Sequence, residues 1–277
     1  MTGSIPNELG NLLHLLWITL NWNSFSGKLA QWLLGMSNLQ ELCTAANAFS
    51  GTIPTEIGQR TEPRRLHLMD NRFVGTAPSE VGLLSDLFFL HFANNDLTGT
   101  LPTELGELVE VTDFWANGNQ FTGTIPSELG KLTQAFCIGV GDNMLTGTIP
   151  IELGMLPGNW SVIPKDICYI EVAHGELDLG INDLTGKIPS ELGRLDCFGK
   201  LEFGSNQLSG FIPTELGLVS WLELMNVAGN PALSGLVPDS LCGKIGFDCS
   251  SDMCGCNCSC TLNVSVPTSA SLSNNAL

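Results

Sequence analysis

Cys43, His67 and His91 follow one another at intervals of 24 residues. Thiolate and imidazole are zinc ligands, and they are also the two halves of a nucleophile–base pair. If each interval is one structural repeat, the three stack in a column with neighbours ~5 Å apart and the outer two ~10 Å apart. One zinc, with ligand distances of ~2.0–2.3 Å, struggles to collect all three. A Cys–His nucleophile also needs an oxyanion hole and a pocket, and an open parallel sheet supplies neither readily. The expectation is no metal, no cofactor and no catalysis.

The elements that hold these residues are written by a repeated dozen. NQFTGTIPSELG opens at Asn119 and NMLTGTIPIELG at Asn143, with variants at Asn95, Asn182 and Asn206. The anchoring asparagines are Asn23, Asn47, Asn71, Asn95, Asn119, Asn143, Asn182, Asn206 and Asn230, 24 apart except for the 39 between Asn143 and Asn182. Before each, apolar residues recur at −8, −5 and −3, as in Leu87, Leu90 and Phe92. The segment from −6 to −3 alternates, so it predicts a short strand with −5 and −3 inside and −6 and −4 outside. The asparagine amide can satisfy backbone groups that the turn leaves unpaired. Glycines such as Gly99, Gly123 and Gly147 permit a conformation or an approach that a Cβ would block. Proline presets a short helical turn, with Glu8, Glu56, Glu80, Glu104, Glu128, Glu152, Glu191 and Glu215 near its positive end. These glutamates are read as structural, a cation-binding stripe being the alternative.

L-x-x-L-x-L-x-x-N-x-L is the signature of leucine-rich repeats. The L-T-G-x-I-P-x-E-L-G half resembles the plant-type subclass, which includes receptor-like kinase ectodomains, receptor-like proteins and polygalacturonase inhibitors. Together with the tail LCGKIGFDCSSDMCGCNCSC, it looks closest to the leucine-rich-repeat families of diatoms and related algae. The resemblance implies an α/β solenoid, a horseshoe with a parallel β-sheet on its concave face and short 3-10 or helical turns on its convex face. The expected organisation is a solenoid over 1–240, a cysteine-rich C-terminal cap over 241–260 and a disordered tail over 261–277. The solenoid comprises a partial first repeat, nine repeats and a 15-residue insertion near 157–171.

The insertion carries the sequon at Asn159 and Cys168, which lies on the same rim as Cys197, so the two are a candidate disulfide with a free pair as the alternative. Cys242, Cys249, Cys254, Cys256, Cys258 and Cys260 close the solenoid. Six cysteines allow 15 pairings, and a metal–thiolate cluster is the rival reading. Sequons and the plant-like pattern favour disulfides. Asn263 is a second glycan candidate.

Outward positions −6 and −4 would line the concave sheet. They place Arg65, His67, Phe89, His91, Asp113 and Trp115 beside Trp17 and Trp22, and Glu176, Asp178 and Glu202 toward the other end. Exposed aromatics with Arg and His compose a recognition patch, and the acidic zone suits a basic peptide or an amine. Simple cover of the sheet is the bland reading. Cys43 and Cys137 also face outward, ~19 Å apart and beyond disulfide reach, and are expected as free thiols.

A net charge of −17 repels phosphate backbones and excludes nucleic acid as a partner. Apolar content of 43% suffices for a core, yet no apolar run reaches the ~18 residues that span a bilayer. Residues 1–10 lack a secretory signal and already sit inside the repeat, which reads as an N-terminal truncation or a misassigned first exon. The chain carries no kinase signature. The reading that follows is a non-catalytic recognition module, extracellular or at the cell surface, part of a receptor-like protein in signalling or defence. Its partners would be a protein, peptide or glycan ligand and a co-receptor. The alternatives are an inhibitor of a cell-wall-degrading glycosidase, disfavoured by the acidic surface, and a structural or adhesion component that exploits the regular threonine rows.

Overall fold

The computed structural model describes residues 1–33, 36–59, 63–156, 175–241 and 247–248. Each alternating segment before an asparagine is a short strand: Trp17–Thr19, Glu41–Cys43, Arg65–His67, Phe89–His91, Asp113–Trp115, Cys137–Gly139, Gly175–Asp178, Phe198–Glu202 and Leu224–Asn226. With Phe247–Asp248 they pair in parallel and in chain order as one ten-stranded sheet. This is the inner sheet of a leucine-rich-repeat solenoid. Its inward residues, such as Leu90, Phe92 and Phe114, join one continuous apolar column running the length of the stack.

The residues after each asparagine form a second sheet where the sequence reading had only a turn. Ten strands, among them Asp96–Thr100, Gln120–Thr124 and Met144–Thr148, again pair in parallel and in order. Their second residue is the reason: Phe49, Phe73, Leu97, Phe121, Leu145, Leu184 and Leu208 are all buried, and extended backbone aims them at the core. The threonines of TGT tie the strands together. The hydroxyls of Thr98, Thr122, Thr146 and Thr185 donate to the carbonyls of Gly75, Gly99, Gly123 and Gly147 in the preceding repeat.

Asparagine supplies the second set of ties. The Asn119 Nδ2 group donates to the carbonyls of Ala116 and Asn117 in its own turn and of Phe92 one repeat back. Its Oδ1 accepts the backbone N–H of Leu97 at 3.0 Å. The same pattern recurs from Asn47 through Asn206. Each such bond contributes about 1 kcal/mol net, and each buried group left unpaired costs more. The ladder also crosses the irregular place, since the Leu145 N–H reaches Asn182 Oδ1 at 2.9 Å and Cys137 pairs with Glu176.

On the convex side the Pro–x–Glu–Leu–Gly segments are five-residue 3-10 helices, as in Ser127–Lys131 after Pro126. Proline fixes the entry φ, and the glycine lets repeats approach. A Cβ on Gly106 would stand 2.4 Å from the Glu128 carbonyl oxygen. The segment KLAQWLLG lacks the proline, and there Ala30–Leu33 is one α-helical turn with Trp32 buried. Among the described residues no helix is long and apolar enough to cross a membrane.

Candidate functional site

The inner strands set the outward side chains in two columns. One runs Trp17, Glu41, Arg65, Phe89, Asp113, Cys137, Glu176, Lys200, Leu224, and the other runs Thr19, Cys43, His67, His91, Trp115, Gly139, Asp178, Glu202, Asn226. This register is the one that the 24-residue spacing requires. Trp22 stands in neither column. It occupies the left-handed turn before Asn23, with φ 58° and 71% exposure. Trp17 is likewise exposed, at 60%, whereas Arg65, His67, Trp115, Glu176, Asp178 and Glu202 are half-buried.

The centre of the face differs from the open patch that the sequence suggested. Phe89, His91 and Asp113 are buried, and so are the thiol-bearing Cys43 and Cys137. Strand spacing is the cause, because neighbouring large side chains pack on one another rather than projecting into water. The rings of His67 and His91 stack at 4.4 Å and 6°. Phe89 meets both edge-on, and the Arg65 guanidinium lies 5.1 Å from the Phe89 ring centre. Trp115 donates its indole N–H to Asp113 Oδ1 at 2.5 Å. Its ring occupies the space over Gly139, where a Cβ would stand 2.3 Å from it.

The electrostatics follow from that packing. Burial, then the neighbouring His91 and Arg65, pushes the His67 imidazole down to about 3, so it is neutral across the physiological range. Burial, reinforced by Asp113, raises the Cys137 thiol far above the usual range, which leaves it protonated and a poor nucleophile. His91 Nε2 lies 3.6 Å from Asp113 Oδ1 and supplies a full counter-charge only when the ring is protonated. Among the described residues no three His, Cys, Asp or Glu side chains converge as a metal site.

Three positions that the sequence reading left out complete the acidic end. Lys200 bonds Glu176 at 2.7 Å and approaches Glu202 to 3.5 Å. Burial alone would lower the Lys200 ammonium, but its carboxylate partners outweigh that and raise it. Asn117 donates to Asp178, which also takes the Gly180 N–H at 3.0 Å. Gly141 makes room for the Asp178 carboxylate. Burial first, then Glu176 and Glu202, raises the Asp178 carboxyl to about 6, while the Gly180 bond opposes the shift. The sequence signal was available: Lys200 sits one strand from Glu176 in the same column, and Asn117 lies two residues before an anchoring asparagine.

The convex side offers a groove of 820 Å³ walled by Thr52, Thr76 and Thr100 and by Glu56, Glu80 and Glu104. A further 510 Å³ continues it to Thr148 and Glu152.

No protein-family model matches the sequence, and no curated protein matches it. Solved structures do. The ectodomain of the plant membrane receptor kinase GASSHO1/SCHENGEN3 from Arabidopsis thaliana, in complex with CASPARIAN STRIP INTEGRITY FACTOR 2, is 31% identical with a TM-score of 0.73 over 87% of this chain and 30% of that one. The Arabidopsis receptor kinase HAESA, in complex with the peptide hormone IDA and the co-receptor SERK1, is 28% identical with a TM-score of 0.67 over 91% of this chain and 45% of that one. The chain is a plant-type leucine-rich-repeat protein. This leucine-rich-repeat protein spans less than half of either receptor chain. A plant ice-binding protein, 24% identical with a TM-score of 0.70 over 93% of this chain and 81% of that one, shares the fold. In the leucine-rich-repeat protein Cys197 is buried. Its candidate partner Cys168, the insertion at 157–171, the cap cysteines Cys242, Cys249, Cys254, Cys256, Cys258 and Cys260, the tail, and the glycan candidates Asn159 and Asn263 lie outside the described residues.

Proposed function

We propose that this protein is a non-catalytic, extracellular recognition module that takes a peptide or protein segment along its concave sheet, as part of a receptor-like assembly that includes a co-receptor. The observation that carries this reading is the division of labour within each repeat. The asparagine, the TGT threonines, the proline and the glycines are all absorbed by stacking. The two inner columns vary in chemistry while standing side by side in register, and they place Arg65, His67, Trp115, Glu176, Asp178 and Glu202 half-exposed on one surface. The likeness to the receptor kinase HAESA, solved with a peptide hormone and a co-receptor, supports the same class of partner.

The test is selection of a displayed library of short random peptides on the immobilised protein. Joint replacement of Arg65 and Glu202 by alanine is expected to abolish capture with the melting temperature unchanged. The same exchange of Glu80, Glu104 and Glu128 on the convex side is expected to leave capture intact. Capture that depends on the convex glutamates and ignores the concave pair would overturn the reading.

A further inference from the structure

Asp113 is the anomaly of the concave face. Its side chain is fully buried, with 0% exposure, at the centre of the inner sheet. Oδ1 takes the Trp115 indole N–H, and His91 Nε2 stands 3.6 Å away, too far for a hydrogen bond. Oδ2 has no hydrogen-bond partner among the described residues, and neither has His91 Nε2. Burying a carboxyl group with one oxygen unpartnered is unfavourable, and an apolar residue of similar size would pack there more cheaply. The column does not need an acid for folding: its neighbours on either strand are Phe89 and Cys137.

We propose that Asp113 is the anchor for a cationic group of the ligand, a guanidinium or ammonium, admitted when the Trp115 indole swings aside. The proposal rests on the concave-face reading and specifies its ligand. Three observations converge on it. The first is the orphaned carboxylate oxygen itself. The second is the wall: Phe89 adjoins Asp113 in the register, and the chain's own Arg65 already lies against that ring, which shows that the ring accepts a guanidinium. The third is the cover. Trp115 is half-buried, rests on a glycine rather than on a side chain, and is latched to Asp113 by one hydrogen bond. The nearby Glu176, Asp178 and Glu202 share this face and bias it toward cations.

The experiment compares two short peptides, acetyl-Gly-Ser-Arg-Ser-Gly-amide and its citrulline counterpart, which has the same shape without the charge. Binding is read from the ¹⁵N-labelled indole resonance of Trp115. The arginine peptide is expected to shift that resonance saturably, with the citrulline peptide and the Asp113→Asn variant each at least about tenfold weaker. Trp115→Phe keeps the ring but lacks the N–H that occupies Asp113. It is expected to bind the arginine peptide several-fold more tightly by calorimetry. Equal binding of the two peptides by the wild-type chain, or an unmoved indole resonance at millimolar peptide, overturns the proposal even where Asp113→Asn fails to fold. Library peptides that need Arg65 and Glu202 but survive Asp113→Asn would sink the anchor and leave the concave-face reading standing.

Discussion

Gly139 is the seat of Trp115. A Cβ at Gly139 would stand 2.3 Å from the indole ring and equally close to Asn117 Oδ1. Large and small residues in adjacent strands are therefore one packing unit, and the unit decides whether Asp113 is covered. Gly139→Ala is expected to displace the indole, break its bond to Asp113 and cost about 1–3 kcal/mol through overpacking. Near-ultraviolet circular dichroism should change while the far-ultraviolet spectrum does not. An unchanged near-ultraviolet spectrum with unchanged stability would refute this placement.

Asn119 makes four bonds, three as donor and one as acceptor. Asn119→Ala is expected to cost about 3 kcal/mol in urea unfolding, because several buried backbone groups lose their partner together. Asn119→Asp should cost as much, since a carboxylate accepts the Leu97 N–H but cannot donate to the three carbonyls. Near-wild-type stability for the aspartate variant would show that the donor bonds contribute little.

Asp178 should make the protein less stable as pH rises. Its carboxyl is held at about 6 against an ordinary 3.8, so between those values the native chain binds more protons than the unfolded one. Its contribution is full below about pH 4 and lost above about pH 6, a change of roughly 2 kcal/mol once the half-open face is allowed for. Glu202, also raised by burial, acts in the same direction. Asp178→Asn should flatten this slope in urea titrations, and a slope unaltered by that exchange would reject the assignment.

His67 acts in the opposite sense. Its pKa of about 3 lies below the ordinary 6.5, so the unfolded chain binds the proton first and stability falls as pH drops through that window. The His67 ring resonances are expected to stay constant between about pH 5 and 8 in NMR titrations. A midpoint near the ordinary value would mean that the stacked pair with His91 is open to solvent.

Much of this protein was legible in the order of its residues. A repeat of constant length forces neighbours in space to be neighbours in register, so Asp113 falls beside Phe89 and Cys137 whatever the side chains are. The asparagine ladder was legible for the same reason, although its reach into the preceding repeat was not. The second sheet was missed because a Thr-Gly-Thr run reads as a turn until its neighbours supply the other half of each hydrogen bond.

Sequence by itself determined the solenoid and the two columns of the concave face, because periodicity is a one-dimensional property that stacking carries directly into space. Only the tertiary structure decided which members of those columns meet water. Exposure at one position depends on the volume of the residues one repeat either side, so Gly139 lets Trp115 lie down and Trp115 covers Asp113.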